Sequence, residues 1–374
     1  MMVDRIKAKL DEAVESGMFL GIGYIAMHKS GKIIYSGAHG SRHFSKAESM
    51  TLETAGWVAS MTKLLTCVAV MQLVERGLVG LDDDLAKIVP FLGKVQILTD
   101  FDDKTQRAKF RRPTQKITLR RLLTHSSGFI YDGDSPPYLH KWVIANGLEG
   151  KDLSGAISGY ELPLVFNPGI EAISKQTLEE YMQQNIWSKV GMSRTTFHPE
   201  NRTEYPILEM GIRLHGPESP LTPGLNPWGN PAHDDLGGAG LYTTTEDYAK
   251  MLAALLLDDG PLLKRESLEE LIRPNLSPES RESLRVHRSN RYYVEIPNNY
   301  EVDHALGGLL AVEDIPERRR KGSISWDGRS SPSWMIDRAS GVACVMLVQI
   351  LPTDMITTKR LWIELETEVY KLLE

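Results

Sequence analysis

One long apolar segment, headed by a serine and a lysine, constrains the fold of this chain more than any other feature. It begins at Ser60, carries Lys63 three residues later and continues through aliphatic residues to Arg76-Gly77. Glycine is the usual residue just past a helix end, so the segment predicts a helix that stops there. A helix that is apolar on most of its faces belongs deep in a core.

Ser60 and Lys63 are the first candidate site residues. Positions three apart share a helix face, so the serine hydroxyl and the lysine amine are predicted to point the same way, a nucleophile beside a base. A helix N-terminus also favours developing negative charge. Serine is a common N-cap, however, and Ser-x-x-Lys arises by chance roughly once in a chain of this composition. Two observations strengthen the catalytic interpretation: the motif occurs once, and its lysine is predicted to be interior, where lysine is rare without a partner or a task.

Composition excludes several classes of protein. The chain has 374 residues, 41% hydrophobic and 25% charged, which is typical of a folded domain. A net charge of −6 provides no field that would attract nucleic acid. Two cysteines, Cys67 and Cys344, predict no disulfide framework. The sequence shows no signal peptide and no apolar stretch of membrane-spanning length, so we expect no membrane partner and a cytoplasmic location.

Predicted strands lie at both ends of the chain, and the middle is mainly helical. After an opening helix over residues 4–17, the segments 20–27 and 32–36 predict a β-hairpin, whereas the charge-rich residues 99–116 predict an exposed loop. The C-terminal part predicts a final helix preceded by short strands, over residues 306–312, 322–326, 333–336, 341–350 and, for the helix, 356–373.

This order of elements predicts an α+β protein whose two ends share one antiparallel sheet, flanked by helices, with a mainly helical region inserted between them. We expect a single domain over residues 1–374, with a sheet subdomain approximately over 1–55 and 300–374 and a helical subdomain approximately over 56–299. No internal repeat or low-complexity tract interrupts this organisation.

Other catalytic and binding motifs are absent from the sequence. The histidines do not have the spacing of a zinc site, and the glycine-rich stretch 234–240 lacks the spacing of phosphate-binding loops. A Gly-x-Ser-x-Gly elbow is also absent, which argues against an α/β-hydrolase. We therefore expect neither a metal nor a cofactor, and interpret His125 and His233 as structural or pocket-lining.

Six short segments, spread along nearly the whole chain, carry a family resemblance. They are Ser60-Met61-Thr62-Lys63-Leu64-Leu65, Glu75-Arg76-Gly77-Leu78-Val79, Leu122-Leu123-Thr124-His125-Ser126-Ser127-Gly128, Phe166-Asn167-Pro168-Gly169, Asp235-Leu236-Gly237-Gly238-Ala239-Gly240-Leu241 and Gly322-Ser323-Ile324-Ser325-Trp326-Asp327-Gly328. Together they resemble the serine β-lactamase and penicillin-binding-protein superfamily, especially its class C β-lactamase-like branch of carboxylesterases and fungal lovastatin-type acyltransferases. Their order and spacing are far more specific than the serine and lysine alone.

The resemblance implies acyl transfer through a covalent acyl-enzyme. Ser60 would attack an ester, thioester or amide carbonyl, and Lys63 would accept its proton, alone or with a tyrosine. Backbone N–H groups of Ser60 and Arg329 would hold the oxyanion, beside a third motif at Trp326-Asp327-Gly328. Because this motif lacks the lysine of β-lactamases, β-lactam hydrolysis is not expected.

The resemblance also implies substrates. We expect a small-molecule alcohol as acyl acceptor and a thioester or ester as acyl donor, with a carrier protein or coenzyme A as candidate carriers of the thioester. Trp326 is the candidate for lining the acyl pocket. His125, Tyr160 and Gly238 are further candidates for substrate binding.

Two departures from the family pattern bear on activity. The family's tyrosine motif follows Pro-Gly, but here about one loop and one helix, with the tyrosine, are missing between Ala172 and Ile173. Tyr160 is a weak substitute, and removal of a general base typically costs ~10² to 10⁴ in rate. In addition, Asp327 and Arg329 occupy positions where relatives mostly have glycine, which predicts added charge near the oxyanion site.

Three functions follow from the resemblance. The first is a serine acyltransferase of secondary metabolism that moves an acyl group to a small alcohol. The second is a carboxylesterase of short-chain esters, which differs only in whether water or an alcohol reaches the acyl-enzyme. The third is a catalytically impaired or incomplete relative that lacks the tyrosine motif.

Overall fold

The structure is a computed structural model that describes residues 2–102, 104–129, 137–154, 176–202, 204–216, 219–257, 260–289, 295–354 and 356–373. Its helices are α1 Met2–Glu15, α2 Thr62–Glu75, α3 Leu119–Leu123, α4 Pro137–Ala145, α5 Leu178–Met182, α6 Ser188–Val190, α7 Thr245–Leu256, α8 Arg265–Ile272, α9 Pro278–Ser289 and α10 Thr357–Lys371. Its strands are β1 Gly21–His28, β2 Ile33–Gly40, β3 Ala55–Trp57, β4 Ile97–Asp102, β5 Arg107–Arg111, β6 Gly211–Ile212, β7 Thr222–Pro223, β8 Tyr242–Thr244, β9 Val302–His304, β10 Leu309–Ala311, β11 Ile324–Asp327, β12 Ser333–Asp337, β13 Val342–Leu347 and β14 Ile350–Leu351.

A seven-stranded antiparallel sheet forms the centre of the protein, in the order β2-β1-β13-β12-β11-β10-β9. Its strands come from the two ends of the chain, because β1 and β2 precede α2 while β9 to β13 follow the helical middle. The N-terminal hairpin joins the C-terminal strands where β1 pairs with β13. The predicted α+β class, with one sheet shared by both ends of the chain, is confirmed.

Each face of the sheet has its own hydrophobic core. On one face, α1 and α10 pack on residues such as Tyr24 and Cys344. On the other face, α2 and α7 pack on residues such as Val345. Successive side chains of a strand point to opposite faces, which explains why Cys344 and Val345 enter different cores. Within the described residues, none of the helices combines the length and the apolarity needed to cross a bilayer.

Helix α2 lies in the centre of the second core. Every residue from Thr62 to Leu73 is buried, so the predicted enclosure of this helix is confirmed. The helix ends in a Schellman motif, in which the N–H of Leu78 donates to the carbonyl of Leu73 and the N–H of Gly77 donates to that of Val74. Gly77 has a φ of +67°, the left-handed conformation that glycine adopts most easily.

The structure of residues 99–116 differs from the predicted exposed loop. The region is largely exposed, as predicted, but instead of a loop it contains most of the hairpin of β4 and β5, paired from Ile97↔Arg111 to Asp102↔Arg107. Leu98 and Phe101 are buried, while Lys109 pairs with Asp100 at 2.7 Å on the exposed side. A bulge between Leu98 and Asp100 interrupts the alternation, so the apolar residues do not show the strict period of two that marks a strand in sequence.

Candidate active site

Ser60 and Lys63 meet where a 3₁₀ turn, Ala59–Met61, leads into α2. Lys63 Nζ donates to Ser60 Oγ at 2.9 Å, in agreement with the predicted shared helix face. Ala59 has a φ of +44°, a strained conformation for a residue with a Cβ, and such strain is typical of turns that hold a functional group in one place. The lysine is buried, whereas the serine keeps partial access to solvent.

The glycine-rich loop 235–240 packs its backbone against the start of α2. Three successive carbonyl groups of this loop accept hydrogen bonds from side chains beside Ser60, in the pairs Thr66–Gly237 at 2.7 Å, Lys63–Gly238 at 2.6 Å and Trp57–Ala239 at 2.6 Å. Gly238 therefore contacts the lysine amine through its backbone. Its predicted contact with substrate stays a prediction.

The turn after β11 packs against the turn that carries the serine. A Cβ added to Gly328 would lie 2.3 Å from the Val58 carbonyl oxygen, so only glycine allows this approach. Ser330 Oγ donates to the Trp57 carbonyl at 2.6 Å and fixes the same contact. The backbone of Arg329 lies between these two anchors, which supports the predicted oxyanion site, while the Arg329 side chain is exposed.

The sequence predicts that Asp327 adds charge near the oxyanion site, but the structure directs this side chain away from the serine. Side chains alternate along β11, so Trp326 packs towards α2 while Asp327 points towards α10. Asp327 Oδ2 lies 2.8 Å from Nζ of Lys359, a buried lysine of α10 that also donates to Ser333 Oγ at 2.9 Å. The carboxylate is therefore neutralised by an ion pair on the far side of the sheet.

A small cavity beside Lys63 is walled by aromatic rings. Trp326 stacks on His125 with ring centroids 5.4 Å apart, and His304 meets the same indole edge-on at 5.3 Å. The cavity has a volume of about 10 Å³, room for about one water molecule. It brings together the predicted pocket residues His125 and Trp326 with His304. Sequence reasoning missed His304, because no motif surrounds it in the chain.

The histidines of this cavity are held in the uncharged form. Burial lowers the pKa of His304 to about 4. The side chain of His125 is open at the cleft mouth, but the dense protein around it limits hydration of a charged ring, and with His304 and Lys63 it lowers the pKa of His125 well below the usual range. Burial also raises the pKa of the Cys67 thiol to about 12. His125, His304 and Cys67 are thus uncharged near neutral pH.

Acidification is expected to destabilise the protein through His304. Its folded pKa of about 4 lies below the ordinary 6.5, so its contribution is complete above pH 6.5 and lost as the pH falls towards 4. The loss reaches about 3 kcal/mol at about 1.4 kcal/mol per pKa unit. Urea unfolding of wild type and His304→Asn across this window measures it, and the free energy of unfolding should fall less steeply in the variant. Equal slopes would contradict the assignment.

The predicted gap between Ala172 and Ile173 and the candidate Tyr160 lie outside the described residues. Within the described chain, Tyr248 is a tyrosine beside the site that sequence reasoning missed, because it follows no recognisable motif. Its hydroxyl donates to the Met61 carbonyl at 2.9 Å. Burial raises the pKa of Tyr248 well above its usual value, so it holds the serine turn as a hydrogen-bond donor and does not supply a base.

A polar cluster lies at the outer end of the glycine-rich loop. Glu179, His198 and Asp235 could each offer one ligand atom to a metal ion, and these atoms lie within 4.8 Å of one another. All three already have hydrogen-bond partners in the protein. His198 Nε2 lies 2.7 Å from Asp235 Oδ1, and the Glu179 carboxylate accepts from the N–H of Phe197 at 2.6 Å. The cluster is therefore satisfied by its own hydrogen bonds.

The fold and the paired serine and lysine are those of serine-dependent acyl-transfer enzymes, in which a lysine at the start of a buried helix serves the nucleophile. The chain belongs to the Beta-lactamase family, whose family model matches residues 6–367. The predicted family is thereby confirmed.

Three similar proteins show which members of the family this chain resembles. Lovastatin esterase from Penicillium rubens is 30% identical, over 91% of this chain and 92% of the relative. Monacolin J acid methylbutanoyltransferase from Aspergillus terreus is 28% identical, over 91% of this chain and 89% of the relative. The solved structure of unliganded simvastatin synthase from Aspergillus terreus matches with a TM-score of 0.88 at 27% identity, covering 99% of this chain and 98% of that one. These relatives confirm the predicted fold and the predicted enzyme class, serine acyltransferases and esterases.

Proposed function

We propose that this chain transfers an acyl group from a thioester or ester donor to the hydroxyl group of a small molecule, through an acyl-enzyme on Ser60. The observation that carries the proposal is the 2.9 Å contact between Lys63 Nζ and Ser60 Oγ at the start of a buried helix. Relatives named as acyltransferases support transfer in secondary metabolism.

In the first half of the reaction, the Lys63 amine accepts the Ser60 proton while Oγ bonds to the acyl carbonyl carbon. Backbone N–H groups of Ser60 and Arg329 stabilise the oxyanion. Collapse of this intermediate breaks the bond to the leaving thiol or alcohol, which takes the proton from Lys63. In the second half, the acceptor hydroxyl gives its proton to Lys63 and attacks the acyl group, and Ser60 leaves with that proton.

The surroundings of the pair fit this chemistry. The Gly238 carbonyl holds the lysine amine beside the serine, and the stacked rings of Trp326 and His125 form an uncharged wall next to the pair. We propose a small-molecule alcohol as acceptor and an acyl-thioester as donor, with a carrier protein or coenzyme A carrying the thioester.

Ester hydrolysis is the second candidate, and the 30% identity to lovastatin esterase favours it. Both reactions share the acyl-enzyme, and they differ in whether an alcohol or water attacks it. An impaired relative is the third candidate, because the sequence predicts that the tyrosine motif is missing between Ala172 and Ile173.

A fluorophosphonate probe is expected to label Ser60 in the wild-type chain, since a serine hydroxyl in contact with a lysine amine that can take its proton is an activated nucleophile. Intact mass and peptide mapping should show one adduct, which disappears in Ser60→Ala. Ser16→Ala is the matched control, because the Ser16 hydroxyl is exposed and donates to the Ala13 carbonyl, remote from the site. A wild-type chain that stays unlabelled would favour the impaired relative.

Transfer and hydrolysis are separated with p-nitrophenyl butyrate in increasing concentrations of a small alcohol. An acyltransferase should form the butyrate ester of the alcohol as nitrophenol is released. Butyrate as the sole product at every alcohol concentration would favour the esterase.

A further inference from the structure

The glycine-rich loop 235–240, whose Gly238 carbonyl accepts from Lys63, is also anchored through its first residue, Asp235. The Asp235 side chain is buried, and its Oδ2 accepts from the N–H of Glu179 at 2.8 Å. Its Oδ1 faces His198 Nε2 at 2.7 Å. Three residues further along, the Gly238 carbonyl accepts from Lys63. The His198 imidazole is therefore linked to the Lys63 amine through Asp235, the backbone of residues 235–238 and the Gly238 carbonyl.

We propose that His198 is a positioning residue that keeps the Lys63 amine against Ser60 by fixing Asp235 and the carbonyl groups that follow it. The proposal rests on the proposed function of the Ser60–Lys63 pair. The loop between Asp235 and Gly238 is short, and the N–H of Gly240 closes it by donating to the Leu236 carbonyl at 2.8 Å. We therefore infer that a displaced Asp235 shifts the Gly238 carbonyl, against the anchors that Thr66 and Trp57 give to the neighbouring carbonyl groups.

The charged groups around His198 make its contact with Asp235 dependent on pH. Glu200 Oε1 lies 3.1 Å from His198 Nδ1, so the imidazole stands between two carboxylates, with Glu179 close by. Arg202, His233 and Asp234 line the same surface pocket. Partial burial disfavours a charged ring, but the hydrogen bonds to Asp235 and Glu200 outweigh it and raise the pKa of His198.

The sign of the pH effect follows from this arrangement. The charged imidazole can donate to both Asp235 and Glu200. Its hold on Asp235 is therefore complete below the ordinary histidine pKa and weakens as the pH rises through the raised pKa of His198. Above it, one ring nitrogen loses its proton, and its lone pair then faces a carboxylate. The fluorophosphonate labelling rate of wild type, divided by that of His198→Gln, which cannot titrate here, is expected to fall as the pH rises through the pKa of His198.

The experiment measures two properties in wild type, His198→Ala and His198→Gln. One is the fluorophosphonate labelling rate of Ser60 between about pH 6 and about pH 9. The other is hydrogen–deuterium exchange of residues 236–241, which does not depend on a reactive serine. The alanine variant should label at least about tenfold more slowly and exchange faster in this loop. Glutamine should restore both to within about threefold, since its amide can donate to Asp235.

His39→Ala is the matched control. His39 forms a similar pair with Asp11 at 2.6 Å, but it lies on edge strand β2. It should label and exchange like wild type. Unchanged exchange in His198→Ala, equal effects in His39→Ala, or faster exchange without slower labelling would each overturn the proposal. A wild-type chain that never labels would instead overturn the proposed function, and the exchange data would still decide whether His198 holds the loop.

Discussion

Replacing Lys63 by methionine is expected to lower the rate of Ser60 acylation by ~10²- to 10⁴-fold, the loss that follows removal of a general base. Methionine keeps a flexible apolar stem of similar length, so the change removes chiefly the amine that contacts Ser60 Oγ and the Gly238 carbonyl. The acylation rate is measured as the first turnover of p-nitrophenyl butyrate, because nitrophenol leaves in the step in which Lys63 accepts the serine proton.

The control for this substitution is Lys9→Met. Lys9 pairs with Glu364 at 2.7 Å, where α1 meets α10, and removing its amine should leave acylation unchanged. A Lys63→Met chain that stays folded and acylates within about tenfold of wild type would show that another group takes the proton. Thermal unfolding of both variants confirms that the comparison is made on folded protein.

The Ser60–Lys63 contact could be predicted from sequence, because it lies within one helical turn and depends only on helix geometry. The enclosure of α2 could be predicted for a similar reason, since its own residues provide no polar face. Both features are properties of a single element. The third motif came from family resemblance, which also placed Trp326 near the serine.

Contacts between separate elements could not be predicted in this way. The pairs Asp327–Lys359 and His198–Asp235 each join residues far apart in the chain, and charge patterns in sequence do not specify which lysine or aspartate will meet. Asp327 shows the consequence most clearly. Its position beside Gly328 suggested charge in the oxyanion site, whereas the alternation of β11 and the approach of α10 place that charge in an ion pair.

Replacing Lys359 by methionine is expected to destabilise the fold by ~3 to 5 kcal/mol, the cost of removing one partner from a buried ion pair. The lysine is 2% exposed and lies between Asp327 Oδ2 at 2.8 Å and Glu295 Oε2 at 3.1 Å. Without the amine, Asp327 loses its ion-pair partner, whereas Glu295 keeps Arg319 at 3.1 Å. The free energy of unfolding in urea measures the effect.

Two variants test the cause of that loss. Lys371→Met is the comparison on the same helix, where the lysine is 40% exposed and pairs at 2.9 Å with Glu368, which is 8% exposed; because its amine stays largely in water, its loss should cost less stability than the loss of Lys359. Adding Asp327→Asn to Lys359→Met removes the carboxylate that has lost its partner, so the double variant should recover part of the lost stability. If both single variants lose the same stability, or if the asparagine restores nothing, the ion pair does not stabilise β11 against α10. Recovery would instead show that Lys359 is the residue that lets this chain carry an aspartate beside its proposed oxyanion site.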